Sequence, residues 1–489
     1  MAFPLSGLVE DTRLAARSLI DFGSHLFSPT LRLGVTGLSR SGKTVFITAL
    51  IHNLLHGGRL PVFDAMAQGR IASARLEPQP DDAVPRFDYE SHLSALMLER
   101  RWPESTRRIG ELRLVLEYQS ARGRERTLTL DIVDYPGEWL LDLPLLTMTY
   151  AEWSAQTLAL SRVEPRRRLA AEWHAFLATL DASAPEEERA ALTAARLFTD
   201  YLRACRDERF AMSLLPPGRF LMPGDLEGSP ALTFAPLELA ADVPQAGSLG
   251  AMMERRFEAY KDVVVRPFFR EHFARLDRQI VLVDALAAFN AGPAALRDLE
   301  SALSTVLDSF RIGRAGWLSG LVRPRIDRIL FAATKADHLH HTSHDHLERI
   351  LARMTERAIE RAKFAGTLVD VVALASVRAT REAMIERGRE KLPSIIGTPM
   401  AGETAGGETF DGNTETAVFP GDLPADLDAI INANDDAFHG LASSPHGDAD
   451  YRFLRFRPPK LTYQSGQVPA LPHIRLDRAL QFLLGDRLA

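Results

Sequence analysis

The chain has 489 residues, 46% of them apolar and 25% charged, enough for two or three domains around a sizeable core and too apolar for wholesale disorder. Its 58 Lys and Arg against 64 Asp and Glu leave a net charge of −6, which removes the basic excess that would draw a chain onto nucleic acid or anionic lipid. A single cysteine, Cys205, excludes an intramolecular disulfide framework and suits a reducing compartment. No run approaches the ~20 apolar residues of a membrane span, and Glu10 and Asp11 break up the N-terminus where a signal peptide would need an apolar stretch.

Residues 8–27 place Ala15, Leu19, Phe22 and Leu26 on one helical face. The opposite face mixes both signs of charge, so packing on the main domain is expected rather than insertion into a bilayer. Residues 31–36 read as a short buried strand and residues 45–55 as an amphipathic helix. Between them stands Gly37-Leu38-Ser39-Arg40-Ser41-Gly42-Lys43-Thr44, a full match to G-x-x-x-x-G-K-[ST]. Strand, glycine loop and helix start together aim backbone N–H groups at one point where a polyphosphate can sit. Gly37 and Gly42 allow the close approach, while Ser39, Arg40, Ser41 and Val45 complete the cradle. Lys43 reaches the β- and γ-phosphates, and the Thr44 hydroxyl holds Mg²⁺.

Residues 109–118 read as a strand preceded by Ser105 and Thr106, of which Thr106 is the better placed to sense Mg²⁺. Residues 127–133 alternate as a second strand and break at Asp134-Tyr135-Pro136-Gly137. A strand ending in D-x-x-G lets the Asp meet Mg²⁺ through water and the Gly137 N–H meet the γ-phosphate. Glu138 stands where Ras-like proteins use a glutamine to orient water, a departure that predicts slow turnover. Residues 147–162, 166–180 and 185–209 show apolar residues at three- and four-residue spacing and read as helices. Residues 216–236 are too rich in Pro and Gly to be one. A long helix is expected over 249–276, broken or restarted near Pro267.

Strands then return at 278–283 and at 326–333, the latter running into Thr334-Lys335-Ala336-Asp337, a [NT]-K-x-D segment. The Asp337 carboxylate would accept from the N1 and N2 edge of guanine, which adenine lacks, while Lys335 lies along the base and Thr334 ties the segment back. A further strand at 368–374 leads to Ala375-Ser376-Val377, where a backbone N–H would meet guanine O6. His338, His340, His341, His344 and His346 crowd the segment after Asp337; His340 and His344 would share a helix face, though exposed imidazoles are the plainer expectation than a metal site. Residues 381–489 hold a Gly/Thr-rich loop (397–424), a strand candidate at 451–457 with solvated arginines, and a C-terminal helix. In that strand Tyr451, Phe453, Arg455 and Arg457 would share one face, and Arg452, Leu454 and Phe456 the other.

The chain as a whole resembles the YcjX-like family of predicted bacterial P-loop GTPases. The likeness rests on residues 32–48, on Asp134-Tyr-Pro-Gly-Glu-Trp139, on Pro217-Gly-Arg-Phe220, on residues 330–337 and on the tail from Asp477 to Asp486. It implies a cytoplasmic nucleotide-binding protein, associated with stress responses and linked to inner-membrane proteins, so that any membrane contact is peripheral or through a partner. At Arg40 the loop also resembles that of guanylate-binding proteins and atlastins. There an arginine at this offset acts as a finger when two GTPase domains meet, which leaves a homodimer open here.

The expected architecture is an α/β P-loop GTPase domain with a mainly parallel sheet (31–137 plus 277–380), a helical insert (138–276), an N-terminal segment (1–30) and an α+β C-terminal extension (381–489). The expected function is Mg²⁺-dependent hydrolysis of GTP to GDP by a nucleotide switch, with Arg40, Glu138 and Lys43 as catalytic residues and Thr44, Thr106 and Asp134 around the metal. A GTP-binding scaffold with negligible turnover is the alternative. A P-loop phosphotransferase is disfavoured because it has no use for D-x-x-G or T-K-x-D.

Overall fold

The computed structural model describes residues 29–432 and 453–489, apart from positions 39, 105, 107, 241–243, 310–325, 365, 388–389, 406 and 462–467. The expected helix at 8–27, as well as Ser39, Ser105, Tyr451 and Arg452, therefore lies outside the described residues.

A seven-stranded sheet organises the molecule. Its strands are β1 (Thr30–Gly37), β2 (Ile71–Glu77), β3 (Gly110–Gln119), β4 (Glu125–Asp134), β5 (Arg278–Val283), β6 (Arg328–Ala333) and β7 (Leu368–Ala373), in the order β2-β3-β4-β1-β5-β6-β7. Strands β4, β1, β5, β6 and β7 run parallel, and β3 and β2 pair antiparallel at one end. The fold is thus α/β with a mainly parallel sheet, as expected. The edge strand β2 was not anticipated, because Ile71-Ala-Ser-Ala-Arg-Leu-Glu77 has little β-branched character.

Strand β5 shows why the sheet is covered on both faces. Ile280 and Leu282 pack with α1 (Lys43–Leu55), α2 (Tyr89–Met97) and a C-terminal helix, whereas Val281 and Val283 join the opposite core. A continuous apolar strand is what a parallel sheet buried on both sides requires. The second core runs without a break into the segment between β4 and β5, gathering Trp153, Trp173, Phe198, Phe234 and Phe257. That segment contains α3 (Tyr150–Ser161), α4 (Glu188–Arg206) and α5 (Leu249–Tyr260). In α4, Ala191, Ala194, Phe198, Tyr201, Leu202 and Cys205 form the buried stripe. Helix α5 continues through a π-helical turn at Lys261–Val265 into Arg266–Glu271. Pro267, which has no N–H to give, lies just beyond that turn and accounts for the widened register.

Helices α6 (Ala285–Ala291), α7 (Pro293–Ser309) and α8 (His344–Phe364) complete this side. Past β7, strands β8 (Arg381–Arg387), β9 (Glu390–Gly397) and β10 (Thr416–Val418) make a small antiparallel sheet. The final helix α9 (Leu476–Leu484) leaves that sheet and packs in the α1 core. Fully buried Arg278 anchors it, pairing with Asp486 at 2.6 Å and Asp327 at 3.0 Å.

Residues 453–457 do not form the expected strand. Phe453, Leu454 and Phe456 are all buried, so the alternation fails, and only Phe456 bridges, to Pro399. The segment is wedged between the small sheet and the large core, so three neighbours turn inward and Arg455 is left half-exposed.

Candidate functional site

The carboxyl ends of the parallel strands meet at one edge. Val35 lies beside Asp134, Gly37 beside Leu282, Val283 beside Ala333, and Ala333 beside Ala373. Strand β1 is where the chain order reverses, with β4 on one side and β5 on the other, and such a switch point opens a crevice for a ligand. The glycine loop, the D-x-P-G turn, the T-K-x-D segment and Ala375–Val377 each follow one of these strand ends, whereas Thr106 stands before β3.

A cavity of about 290 Å³ fills the crevice. Residues Arg40 to Val45, Thr106, Thr334, Lys335, Asp337, Ser376 and Val377 all line it. Segments more than two hundred residues apart in sequence are thereby gathered around one space.

Strand β1 ends at Gly37 and α1 starts at Lys43, so the expected phosphate loop joins the two. Gly42 has φ of 85° and caps α1, and Arg40 takes φ of 61°. A Cβ on Gly37 would lie 2.6 Å from the Leu282 carbonyl oxygen, so that position is closed to any side chain. Lys43 is buried and donates to the Gly37 carbonyl at 3.2 Å, curling back across the loop.

Thr44, Thr106 and Asp134 form a continuous chain. The Thr44 and Thr106 hydroxyls are 3.2 Å apart, and Thr106 donates to Asp134 Oδ2 at 2.6 Å. The other oxygen, Oδ1, is buried with no protein hydrogen-bond partner. Burial pushes the Asp134 carboxyl up to about 6, against the pull of Lys43 and the Thr106 hydrogen bond. Two hydroxyls and a carboxylate with a spare oxygen are a hard, all-oxygen set of the kind Mg²⁺ takes.

Gly137 follows directly. Its Cα lies against the phosphate loop so tightly that an added Cβ would stand 2.1 Å from the Gly37 carbonyl oxygen. Glu138 is buried and lies 3.9 Å from Arg206 Nε at the end of α4, outside the cavity wall.

On the opposite wall, Thr334 N–H and Oγ1 both donate to the Val283 carbonyl, at 2.9 and 3.3 Å. Lys335 adopts φ of 60° and pairs with Asp284, the residue that follows β5. Asp337 Oδ2 accepts from Ala379 N–H at 2.7 Å, which ties the loop after β6 to the loop after β7.

The histidines differ from expectation. Helix α8 begins at His344, so His340 lies before it and the two do not share a helix face. His338, His340 and His344 are buried rather than exposed. His344 Nε2 meets the Leu339 carbonyl at 3.3 Å, and His340 Nδ1 meets Thr342 Oγ1 at 3.0 Å. His340, His341 and Glu382 bring ligand atoms within 4.8 Å, but Glu382 is already held by Arg378 at 3.2 Å.

Several wall residues were not expected at the site. Trp102 donates to the Phe456 carbonyl at 2.7 Å, and Met400, Arg455 and Phe456 reach the cavity from beyond β7. Glu208 arrives from the helical segment and meets Arg40 at 2.6 Å. Nothing in the run Arg206-Asp207-Glu208-Arg209 separates it from any solvated charge cluster. The Pro217-Gly-Arg-Phe220 segment lies against the D-x-P-G-E turn. A Cβ on Gly218 would be 2.2 Å from the Glu138 carbonyl oxygen, Gly218 N–H donates to Asp142 at 2.7 Å, and the Arg219 guanidinium sits 3.3 Å over the Trp139 ring. Cation–π contact and glycine packing thus give a physical reason for both motifs.

Comparison with known proteins identifies relatives of the whole chain. The Ras-like GTPase YcjX of Escherichia coli is 39% identical over 479 residues, covering 94% of this chain and 96% of that protein. The Ras-like GTPase YcjX of Shewanella oneidensis is 34% identical over 488 residues, covering 94% of each. The model of the YcjX-like family, DUF463, matches residues 31–488. Two full-length likenesses and a match across nearly the whole chain place this protein in the YcjX-like family.

Proposed function

We propose that this chain binds GTP with Mg²⁺ and hydrolyses it to GDP, switching its state with the nucleotide. One observation carries the reading: the G-x-x-x-x-G-K-T, T-K-x-D and A-S-V segments line a single cavity, with Thr44, Thr106 and Asp134 hydrogen-bonded in series beside it. The names of the relatives, Ras-like GTPases, point the same way.

In this reading the backbone N–H groups of residues 40–45 hold the phosphates, and Lys43 gives up the Gly37 carbonyl to pair with them. Thr44, Thr106 and Asp134 would hold Mg²⁺, which would supply charge neutralisation. Asp337 selects guanine through two accepted hydrogen bonds, with Lys335 along the base and the Ser376–Val377 backbone at O6. Arg40 neutralises charge at the β–γ bridge, where a guanidinium is worth ~10³–10⁵ in rate. It is paired with Glu208 in this structure, and Glu138 faces Arg206, so slow basal turnover is expected. Those two pairings also favour a second reading, a GTP-binding scaffold that reports nucleotide state with negligible hydrolysis.

Affinity and single-turnover hydrolysis for GTP beside ATP, on purified full-length protein with Mg²⁺, test both readings. Tight GTP binding with slow turnover that Arg40→Ala reduces further supports the switch. Tight binding with no turnover supports the scaffold. Equal affinity for ATP overturns the guanine assignment. Among the described residues no helix is long and apolar enough to cross a membrane.

A further inference from the structure

The C-terminal end of α4 touches two segments of the candidate nucleotide site at once. Arg206 faces Glu138, directly after the D-x-P-G turn, and Glu208 pairs with Arg40 of the phosphate loop. Glu208 also accepts from Arg455 at 2.7 Å, and Arg455 in turn pairs with Glu403 at 2.6 Å. An ion-pair chain Arg40–Glu208–Arg455–Glu403 therefore links the phosphate loop, the helical segment between β4 and β5, and the region beyond β7.

The chain occupies a particular place. A second cavity of about 230 Å³ adjoins the first, and Arg40, Glu208 and Arg455 border both. The bond from Arg40 to Glu208 thus forms part of the partition between them. Its members are 47% and 49% exposed, so the pair is screened by water and weakly held. Arg40 is further pressed by partial burial and by the charges of Arg206 and Arg455. A triphosphate a few ångströms away is a stronger partner for a guanidinium than one half-solvated carboxylate, because it offers more charge and more acceptor oxygens.

We propose that Glu208 is a positioning residue that holds Arg40 off the phosphates until nucleotide takes the guanidinium from it. The exchange reports occupancy to α4 and, through Arg455, to Glu403. This inference rests on the GTP-binding reading and deepens it by naming how the site is regulated. Glu208 competes with the phosphates for one arginine. Removing its charge must strengthen GTP binding, and only while Arg40 is present.

The test is a double-mutant cycle on full-length protein with Mg²⁺ and a fluorescent GTP analogue, using wild type, Glu208→Gln, Arg40→Ala and the double variant. Glu208→Gln is expected to tighten GTP binding roughly two- to fivefold, the span set by a half-exposed ion pair. The same change in the Arg40→Ala background is expected to do nothing. Arg455→Met acts in the opposite direction, since Glu208 then has Arg40 as its remaining partner in the chain. It should weaken binding by a similar factor, again only with Arg40 present. A merely structural role for Glu208 would shift both backgrounds alike, and that result, or no shift in either, overturns the proposal. If wild-type protein fails to bind GTP at all, the underlying functional reading falls. If it binds GTP but the cycle shows no coupling, only this inference falls.

Discussion

Replacing Gly137 by alanine asks whether the D-x-P-G turn and the phosphate loop are one mechanical unit. The added Cβ would sit 2.1 Å from the Gly37 carbonyl oxygen, 2.5 Å from its carbon and 3.1 Å from its nitrogen. All three are main-chain atoms, so no rotamer change relieves the clash, and the two backbones must part by about 1 Å or more. Overpacking of this kind costs about 1–3 kcal/mol. A displacement of that size at a catalytic loop can also cost ~10²-fold in rate. Gly42→Ala is the contrasting change: φ is 85° there and nothing lies within 4 Å of the new methyl group. It should carry only the left-handed backbone strain, about 1–2 kcal/mol, with no steric push on a neighbour. Denaturant unfolding reads the stability term and binding of a fluorescent GTP analogue reads the loop term. Gly137→Ala is expected to lose stability and roughly tenfold or more in affinity, as a displaced phosphate cradle would. Unchanged stability with unchanged affinity would refute the reasoning.

Three further outcomes are expected. Lys43→Ala removes a buried ammonium from the phosphate loop and should lower GTP affinity by at least ~10²-fold, measured by equilibrium binding; wild-type affinity in the variant would make the loop match incidental. Asp337→Asn should keep the bond from Ala379 N–H through its amide oxygen while turning preference from guanine to xanthine nucleotide, read by competition between GTP and XTP. Asp142 is buried between Tyr260 OH and Gly218 N–H, and burial pushes its carboxyl up to about 7. A folded value raised above the unfolded ~3.9 means the native state holds the proton more tightly. Its contribution is full below about pH 4, falls as pH rises toward 7, and is level above. Unfolding free energies of wild type and Asp142→Asn, compared from pH 4 to 8, should converge or cross in that window; parallel curves would count against it.

The segments of the candidate site stand out in the chain because each is local chemistry. A glycine loop, a D-x-x-G turn and a T-K-x-D segment impose their backbone needs within a few residues, and strand and helix periodicity around them is equally local. Gly42 at φ 85° and the strand ends at Gly37, Asp134 and Ala333 follow from that kind of information. Thr106, singled out as a hydroxyl just before a strand, hydrogen-bonds to Thr44 and Asp134.

What only the tertiary structure decided are contacts between surfaces far apart in the chain. Glu208 and Met400 have no spacing that marks them, and the alternation over 451–457 did not point Arg455 and Phe456 toward the candidate site. Their role comes from where the aromatic core sets the end of α4 and the residues after β9. The histidines show the same limit from the other side. Their density suggested exposed imidazoles, but burial of His338, His340 and His344 depends on how the loop after β6 is covered by distant segments such as Phe456. Side-chain identity settles which backbone shapes are affordable along a few residues; packing across hundreds settles which charge faces which.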